Sequence, residues 1–335
     1  MIQRPPLRTE EVSHLQVDAD QAGRRIDNLL VSLLGDVPKS HIYRMLRRGE
    51  IRINGRRAKP ETRVEEADLV RLPPIRREPE PRPPGGGGPR GQFLEGRILY
   101  EDERMLIVDK PSGMAVHGGS GLRYGLIETL RNARGEEHFL ELAHRLDRDT
   151  SGCLILAKSM RSLRRLHEQL REGRIGKRYL LLVRGRWKGP DRTITSSLRK
   201  DMRTGGEAVV RVDQRAGKHA VTHFALRRQF EGASLLNAYL ETGRTHQIRV
   251  HASHAGFPIA GDEKYGDEAF NRRMHALGLR RLFLHAERLE IPLEGGSAVT
   301  VESPLPAELE DVLGALAPSQ PAAAGSTRKA GRKRP

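Results

Sequence analysis

Residues 78–91, EPEPRPPGGGGPRG, hold five prolines, a tetraglycine run and no aliphatic side chain. No burial offsets the entropy of ordering such a stretch, so it reads as a linker. A linker there forbids a single continuous core and divides the chain into a small N-terminal module and a larger body. The last stretch, 318–335, is equally poor in core residues and carries five basic and no acidic side chains. It reads as a disordered basic tail.

Charge then narrows the partners. The 335 residues contain 59 Lys plus Arg against 43 Asp plus Glu, a formal net charge of +16. Without the tail the excess is still +11, which makes polyanions the first partners to consider. One cysteine, Cys153, excludes an intrachain disulfide framework and a Cys-rich zinc module, and a reducing compartment fits it best. The N-terminus lacks the apolar stretch of a secretory signal, and no apolar run approaches the ~18 residues that cross a bilayer. The reading is a cytoplasmic protein with no membrane segment.

Between Gly23 and Arg77 lie 14 basic and 7 acidic residues. Arg24 to Leu34 reads as a helix with Ile26, Leu29, Leu30, Leu33 and Leu34 on one face. Ser40 to Arg48 reads as a second, with Ile42, Tyr43, Met45 and Leu46 inward and Gly49 as its stop. Asn54-Gly55 turns a hairpin after Ile51 and Ile53, and DLVRL resumes a strand. The body reads as strands at MLIVDK (105–110), CLILAK (153–158), YLLLVRG (179–185), QIRVHA (247–252) and LFLHAERLEI (282–291). An amphipathic helix spans Met160 to Arg171 with Leu163, Leu166 and Leu170 on one face. The elements do not alternate as βαβ, so the expected fold class is α+β with a mixed, largely antiparallel sheet.

Two polar constellations could carry chemistry. In ELAHRLDRDTSGCLILAK (141–158) a polar run abuts a buried strand, as residues lining a cleft do. A carboxylate there, between Arg145 and Arg148, stays ionised and serves as nucleophile or base; the alternative is a surface turn with ordinary ion pairs. In ETGRTHQIRVHASHAG (241–256), read as a strand, Gln247 and Arg249 share one face while Ile248 and Val250 enter the core. His246, His251 and His254 lack HExxH or a completing carboxylate, so they read as structural or RNA-contacting residues rather than metal ligands. HGGSG at 117–121 lacks GKS and so does not read as a nucleotide-binding loop.

The 23–77 module resembles the S4 RNA-binding domain, on its Pro38-Lys39-Ser40 helix start, its Arg44, Arg47 and Arg48 face and its turn-flanked strands. HRLDRDTSG (144–152), KRY (177–179) and GRTHQIRVH (243–251) resemble, in order, the three signature motifs of the RluA-type pseudouridine synthase family. KPSGMAV followed by HGGSG is similar to the C-type members, which act on large-subunit ribosomal RNA. The sibling D type usually has a Pro-Gly turn after that histidine. The resemblance implies an αL-type S4 domain over 15–77, the linker 78–91, a catalytic domain of the pseudouridine synthase fold over 92–312, and the tail 318–335.

By the same resemblance Asp147 matches the catalytic aspartate, Tyr179 the active-site tyrosine and Arg249 the aspartate's basic partner. Arg145 matches the arginine that fills the gap left by a flipped nucleotide. Lys39, Arg44, Arg47, Arg48 and Arg244 are the further candidate RNA contacts. The implied partner is 23S ribosomal RNA or its precursor, with no metal, no nucleotide, no other cofactor, and a monomeric state. A nonenzymatic S4-containing ribosome-assembly factor, a base-excising glycosylase, and the same chemistry at a different ribosomal RNA site are the competing readings.

Overall fold

A computed structural model of the chain describes residues 11–19, 21–34, 37, 39–75, 89–118, 125–135, 139–202 and 208–318. The backbone forms two compact units. The first comprises Met1–Lys110, Met114–Leu146 and Leu154–Glu172; the second comprises Pro111–Gly113, Asp147–Cys153 and Gly173–Pro335. Among the described residues no helix is long and apolar enough to cross a membrane.

The first unit opens with β1 (Ser13–Gln16), α1 (Ile26–Leu33), α2 (Lys39–Arg48), β2 (Arg52–Ile53), β3 (Arg56–Arg57) and β4 (Leu69–Leu72). The strands form an antiparallel sheet in the order β1-β4-β2-β3. Ile26, Leu29 and Leu30 of α1 and Ile42 of α2 are fully buried in one core with Met45, Leu46, Val64 and Val70. Their helical spacing is what the sequence periodicity anticipates. Asn54 and Gly55 both take positive φ, 49° and 76°, the geometry of a tight two-residue hairpin. Asn54 also ties the hairpin to β4, its Oδ1 accepting from the Leu69 N–H at 2.8 Å.

Tyr43 corrects the helix reading. Placed one residue past Ile42, it turns about 100° off the apolar face and is 38% exposed. Its hydroxyl donates to Asp27 Oδ2 at 2.9 Å. Of the expected linker, residues 89–91 instead open a helix, α3 (Pro89–Glu95); residues 78–88 lie outside the described residues, as do 319–335 of the expected tail and residues 119–121 of HGGSG.

The first unit continues with β5 (Ile98–Glu101), β6 (Met105–Lys110), α4 (Leu126–Arg134), β7 (Glu141–Leu142), β8 (Ser151–Ala157) and α5 (Met160–Arg171). The first three residues of β8 belong to the second unit. β5 and β6 pair antiparallel, as do β7 and β8. Ser159 caps α5 by accepting from the Ser162 N–H at 3.0 Å. Its buried stripe is Met160, Ser162, Leu166 and Gln169, so of the three expected leucines Leu166 is fully covered and Leu163 and Leu170 half-covered.

The second unit holds β9 (Gly176–Arg184), β10 (Arg192–Met202), β11 (Ala208–Val212), β12 (Lys218–Phe230), β13 (Ala233–Leu240), α6 (Gln247–His254), α7 (Glu268–Ala276), β14 (Leu284–Pro292), β15 (Ala298–Glu302) and α8 (Ala307–Ala315). Strands run in the order β11-β10-β12-β13-β9-β14, antiparallel throughout, with β15 paired antiparallel to β14. The parallel exception is Ser151 and Gly152 of β8 against His285 and Ala286. An α+β, mixed and largely antiparallel architecture is therefore observed.

One face of this sheet carries Leu180, Leu182 and Leu235, buried with Phe270 and Met274 of α7 and Leu309 and Val312 of α8. By the two-residue period the opposite face carries Tyr179, Thr222 and Ser196. Helix α6 covers that face: the Gln247 amide donates to Thr222 Oγ1, and the His251 ring bonds both Thr222 and Ser196. The expected strand at QIRVHA is thus a helix. All six residues from Gln247 to Ala252 are buried, so no polar stripe remains to reveal the helical period.

Candidate active site

Asp147 stands at the start of the turn that leads into β8. The turn is fixed from both ends. The Thr150 N–H donates to the Asp147 carbonyl at 3.2 Å, and Arg148 Nε and Ser112 Oγ hold the turn through the Gly113 and Asp149 carbonyls at 3.0 and 2.8 Å. Ser151 is buried, with its hydroxyl 2.9 Å from His285 Nδ1 and accepting from Arg281 Nη2 at 2.5 Å. Next comes Gly152, at φ +107°, where an added Cβ would lie 2.3 Å from the Ala286 carbonyl oxygen. Only glycine permits that approach of β8 to β14.

Arg249, from α6, meets the Asp147 carboxylate at 3.4 Å through Nη1. Its other two nitrogens are committed: Nε and Nη2 donate to Asp262 Oδ2 and Oδ1 at 2.7 and 2.8 Å. Asp262 is 1% exposed and also accepts from the backbone N–H groups of Lys264 and Tyr265 at 2.9 and 3.0 Å. Burial by itself would raise the Asp262 pKa, but the guanidinium hydrogen bonds dominate and hold it below the usual carboxylate value. The same pair keeps Arg249 charged against the opposing cost of burial. The basic partner of Asp147 is therefore Arg249. Arg148 Nε donates to the Gly113 carbonyl at 3.0 Å.

Tyr179 sits on β9, 7% exposed, opposite Ala238 of β13. Burial pushes its phenol pKa well up, and the negative charge of Asp147 adds to that rise. The phenol is thus neutral across the physiological range, a flat wall with one polar end and a weak candidate for a resting base. His246 comes within 3.9 Å of Asp147 Oδ2 through Nε2, while its Nδ1 lies 2.8 Å from the Tyr265 hydroxyl. Burial lowers the His246 pKa, so the ring is neutral near pH 7.

The remaining expected residues lie further out. Arg244 precedes α6, exposed, with Nε donating to the His219 carbonyl at 3.1 Å. Arg145 is exposed two residues before Asp147 in the chain. Lys39, Arg44, Arg47 and Arg48 are all exposed on α2, a cationic row beside a packed core. Asp262 and Tyr265 were not anticipated from sequence. Their only signal is GDEKYG (261–266), an acidic and an aromatic residue framed by glycines just after an apolar stretch.

The sequence profile of RNA pseudouridylate synthases matches residues 104–254, and that of S4 domains matches residues 24–70. A ribosomal large subunit pseudouridine synthase C of Pasteurella multocida (strain Pm70) is 49% identical over 310 residues, 92% of this chain and 94% of that protein. The chain belongs to the RNA pseudouridylate synthase family. It is accordingly an isomerase with an N-terminal S4 domain. Its relative of the same name in Escherichia coli (strain K12) is 48% identical over 303 residues, 89% of this chain and 94% of the relative. The solved structure of human RNA Pseudouridylate Synthase Domain Containing 1 shares the fold, with TM-score 0.55 and 26% identity over 68% of this chain and 90% of that one.

Within this synthase, His251 gives helix α6 a pH dependence. The fully buried ring accepts or donates only to Ser196 and Thr222 hydroxyls, and burial, followed by the charge of His254, lowers its pKa from 6.5 to about 4. Because the folded value lies below the unfolded one, this contribution is complete above pH 6.5 and is lost as pH falls toward 4, amounting to about 3 kcal/mol. Urea unfolding between pH 7 and 4.5 should show that loss, and His251→Gln should flatten the slope. An unchanged slope would show that His251 titrates normally in the folded protein.

Proposed function

We propose that this synthase converts uridine to pseudouridine in the 23S RNA of the large ribosomal subunit, with Asp147 as the reacting carboxylate. The observation that carries this reading is the Asp147–Arg249 ion pair at 3.4 Å, electrostatically coupled to the buried phenol of Tyr179. The choice of RNA draws on the two relatives, both named ribosomal large subunit pseudouridine synthase C.

Isomerisation breaks the N1–C1′ bond, turns the uracil and joins C5 to the same sugar carbon. No group enters or leaves and no net electrons move, so the reaction calls for no redox cofactor or nucleotide. It calls for a carboxylate at the sugar and base, a wall that retains the detached uracil, and exclusion of water. Asp147 meets the first need and Tyr179 the second. Arg249 holds the carboxylate in place and offsets its charge.

A stacked base is out of reach, so the target nucleotide is turned out of its stack at a cost of roughly a few kcal/mol, least in loops and bulges. Arg145, exposed beside the catalytic turn, fills the vacated space, and Arg244 adds a contact on the RNA strand. Lys39, Arg44, Arg47 and Arg48 supply affinity for phosphates that does not depend on sequence.

Removing residues 1–90 should therefore weaken RNA binding about tenfold or more at moderate salt, while single-turnover chemistry at saturating protein changes little. Equal affinity of the truncated and full chains at low salt would contradict the docking role. The function itself is tested by incubating the protein with 23S RNA lacking pseudouridine and mapping carbodiimide-tagged positions by primer extension. New stops at discrete uridines are expected; a pattern identical to untreated RNA would overturn the proposal.

A further inference from the structure

Four neighbours approach Asp147 or support those that do, and two of them, Asp262 and Tyr265, belong to one short turn. From the Gly261–Gly266 segment, Asp262 grips Arg249 with both carboxylate oxygens, and Tyr265 contacts both of the groups that face Asp147. The Arg249 guanidinium carbon lies 5.1 Å from the Tyr265 ring centroid, and the Tyr265 hydroxyl meets His246 Nδ1 at 2.8 Å. The turn is itself pinned. Asn271 of α7 accepts from the Gly261 N–H at 2.9 Å and donates to the Asp262 carbonyl at 3.0 Å. Gly261 sits at φ +73°, where a Cβ would fall 2.1 Å from the Arg281 carbonyl oxygen.

The hydrogen-bond partners of Tyr265 favour one tautomer of His246. The Val210 backbone N–H donates to the Tyr265 hydroxyl oxygen at 2.8 Å. With one acceptor position of the hydroxyl taken by that obligatory donor, the arrangement that satisfies both rings has the hydroxyl proton directed at His246 Nδ1, left as the unprotonated nitrogen. The proton of the neutral ring is then on Nε2, the atom 3.9 Å from the Asp147 carboxylate. His246 is held there in a left-handed backbone conformation, φ 54° and ψ 19°, at the N-cap of α6. A non-glycine residue adopts that conformation at a cost and keeps it only where its surroundings enforce it.

We propose that the Gly261–Gly266 turn is the positioning element of the active site: Asp262 sets the direction of the Arg249 guanidinium toward Asp147, and Tyr265 sets the tautomer of His246, whose Nε2 faces the same carboxylate. Asp262 and Tyr265 act through Arg249 and His246 and are positioning residues. The Nε2–H of His246 lies beyond hydrogen-bond distance of Asp147, so an oxygen of the bound nucleotide, such as a uracil carbonyl, is the acceptor it fits. The proposal deepens the assignment of Asp147 as the reacting carboxylate and rests on it.

Nitrogen-15 NMR of the histidine rings tests the tautomer without any activity. Wild-type His246, assigned by its loss in His246→Gln, should show the Nε2–H form at pH 7.5, and Tyr265→Phe should shift it toward a mixture. An Nδ1–H ring in wild type, or a spectrum unmoved by Tyr265→Phe, would overturn this half. For Asp262, single-turnover rates of Asp262→Asn, Arg249→Met and the double variant are compared with their RNA affinities. Asp262→Asn should lose roughly tenfold or more in rate with affinity within about twofold, and the double variant should be no slower than Arg249→Met alone. Multiplicative losses would mean that Asp262 acts independently of Arg249. Should Asp262→Asn fail to fold, Asp262→Glu, which keeps the charge but displaces it, decides the same coupling. A wild-type protein that converts no uridine defeats the functional assignment, and the NMR arm still decides the tautomer.

Discussion

Asp147→Asn should abolish isomerisation, lowering the single-turnover rate by more than about a thousandfold, while the protein stays folded and binds RNA within about twofold of wild type. The amide matches the carboxylate in shape but can neither attack nor accept a proton usefully. The fold tolerates the change because Asp147 supports little of it. Its carboxylate is partly exposed, and its ion pair with Arg249 is long at 3.4 Å. Arg249 keeps both bonds to Asp262 when Asp147 is neutralised, so no buried charge is stranded. The turn itself hangs on backbone carbonyls, Ser151 and Gly152, none of which the substitution touches. Asp149→Asn is the matched control: Asp149 is exposed and serves the turn through its carbonyl, which accepts from Ser112 Oγ. Its rate should stay within about twofold. Thermal melting, RNA binding and single-turnover pseudouridine formation on the two variants check the whole statement, and a folded Asp147→Asn protein that retains activity would refute it.

Arg249→Met should damage both activity and stability, and its stability effect should exceed that of Asp147→Asn. Loss of the guanidinium takes the ion partner from Asp147, and a fall of roughly a hundredfold in single-turnover rate is expected on that account. It also leaves the carboxylate of Asp262, 1% exposed, without its guanidinium and held by the Lys264 and Tyr265 N–H groups. Breaking one side of a buried pair costs about 3–5 kcal/mol because the other charge is left behind. Adding Asp262→Asn removes the stranded charge, so the double variant should unfold at higher urea than Arg249→Met alone. Urea unfolding of the three variants tests this order. A stability of Arg249→Met equal to wild type would mean that the Asp262 pair contributes nothing to the fold.

That stability cost is invisible from sequence, where Arg249 is read only as the partner of Asp147. The difference marks where sequence reasoning reaches and where it stops. Helices α1, α2 and α5 were legible because each has one wet and one dry face, and β6, β8, β9 and β14 because their apolar runs stand between polar turns. Helix α6 reads as a strand in the sequence because it is buried all round, its polar side chains satisfied by Thr222, Ser196 and Asp262 rather than by water. Strands β12 and β13 leave little trace in the sequence for a related reason: KHAVTHFALRRQF and ASLLNAYL place Thr222, His223 and Asn237 among apolar residues, which blurs the two-residue alternation. The motifs single out Asp147, Tyr179 and Arg249 but not the support beneath them. The bond of Asp262 to Arg249 spans 13 residues across a loop, and no local period encodes it.

The measurement that bears most directly on the central claim is the fate of the uracil ring when the full chain acts on unmodified 23S RNA labelled with tritium at uridine C5. Forming the C5–C1′ bond expels the C5 hydrogen while the base stays attached. Wild-type protein should therefore release tritium to water in step with pseudouridine recovered by nuclease digestion, with no free uracil and no abasic sites. Free uracil and abasic RNA in place of pseudouridine, or RNA that is bound but unchanged, would contradict the account.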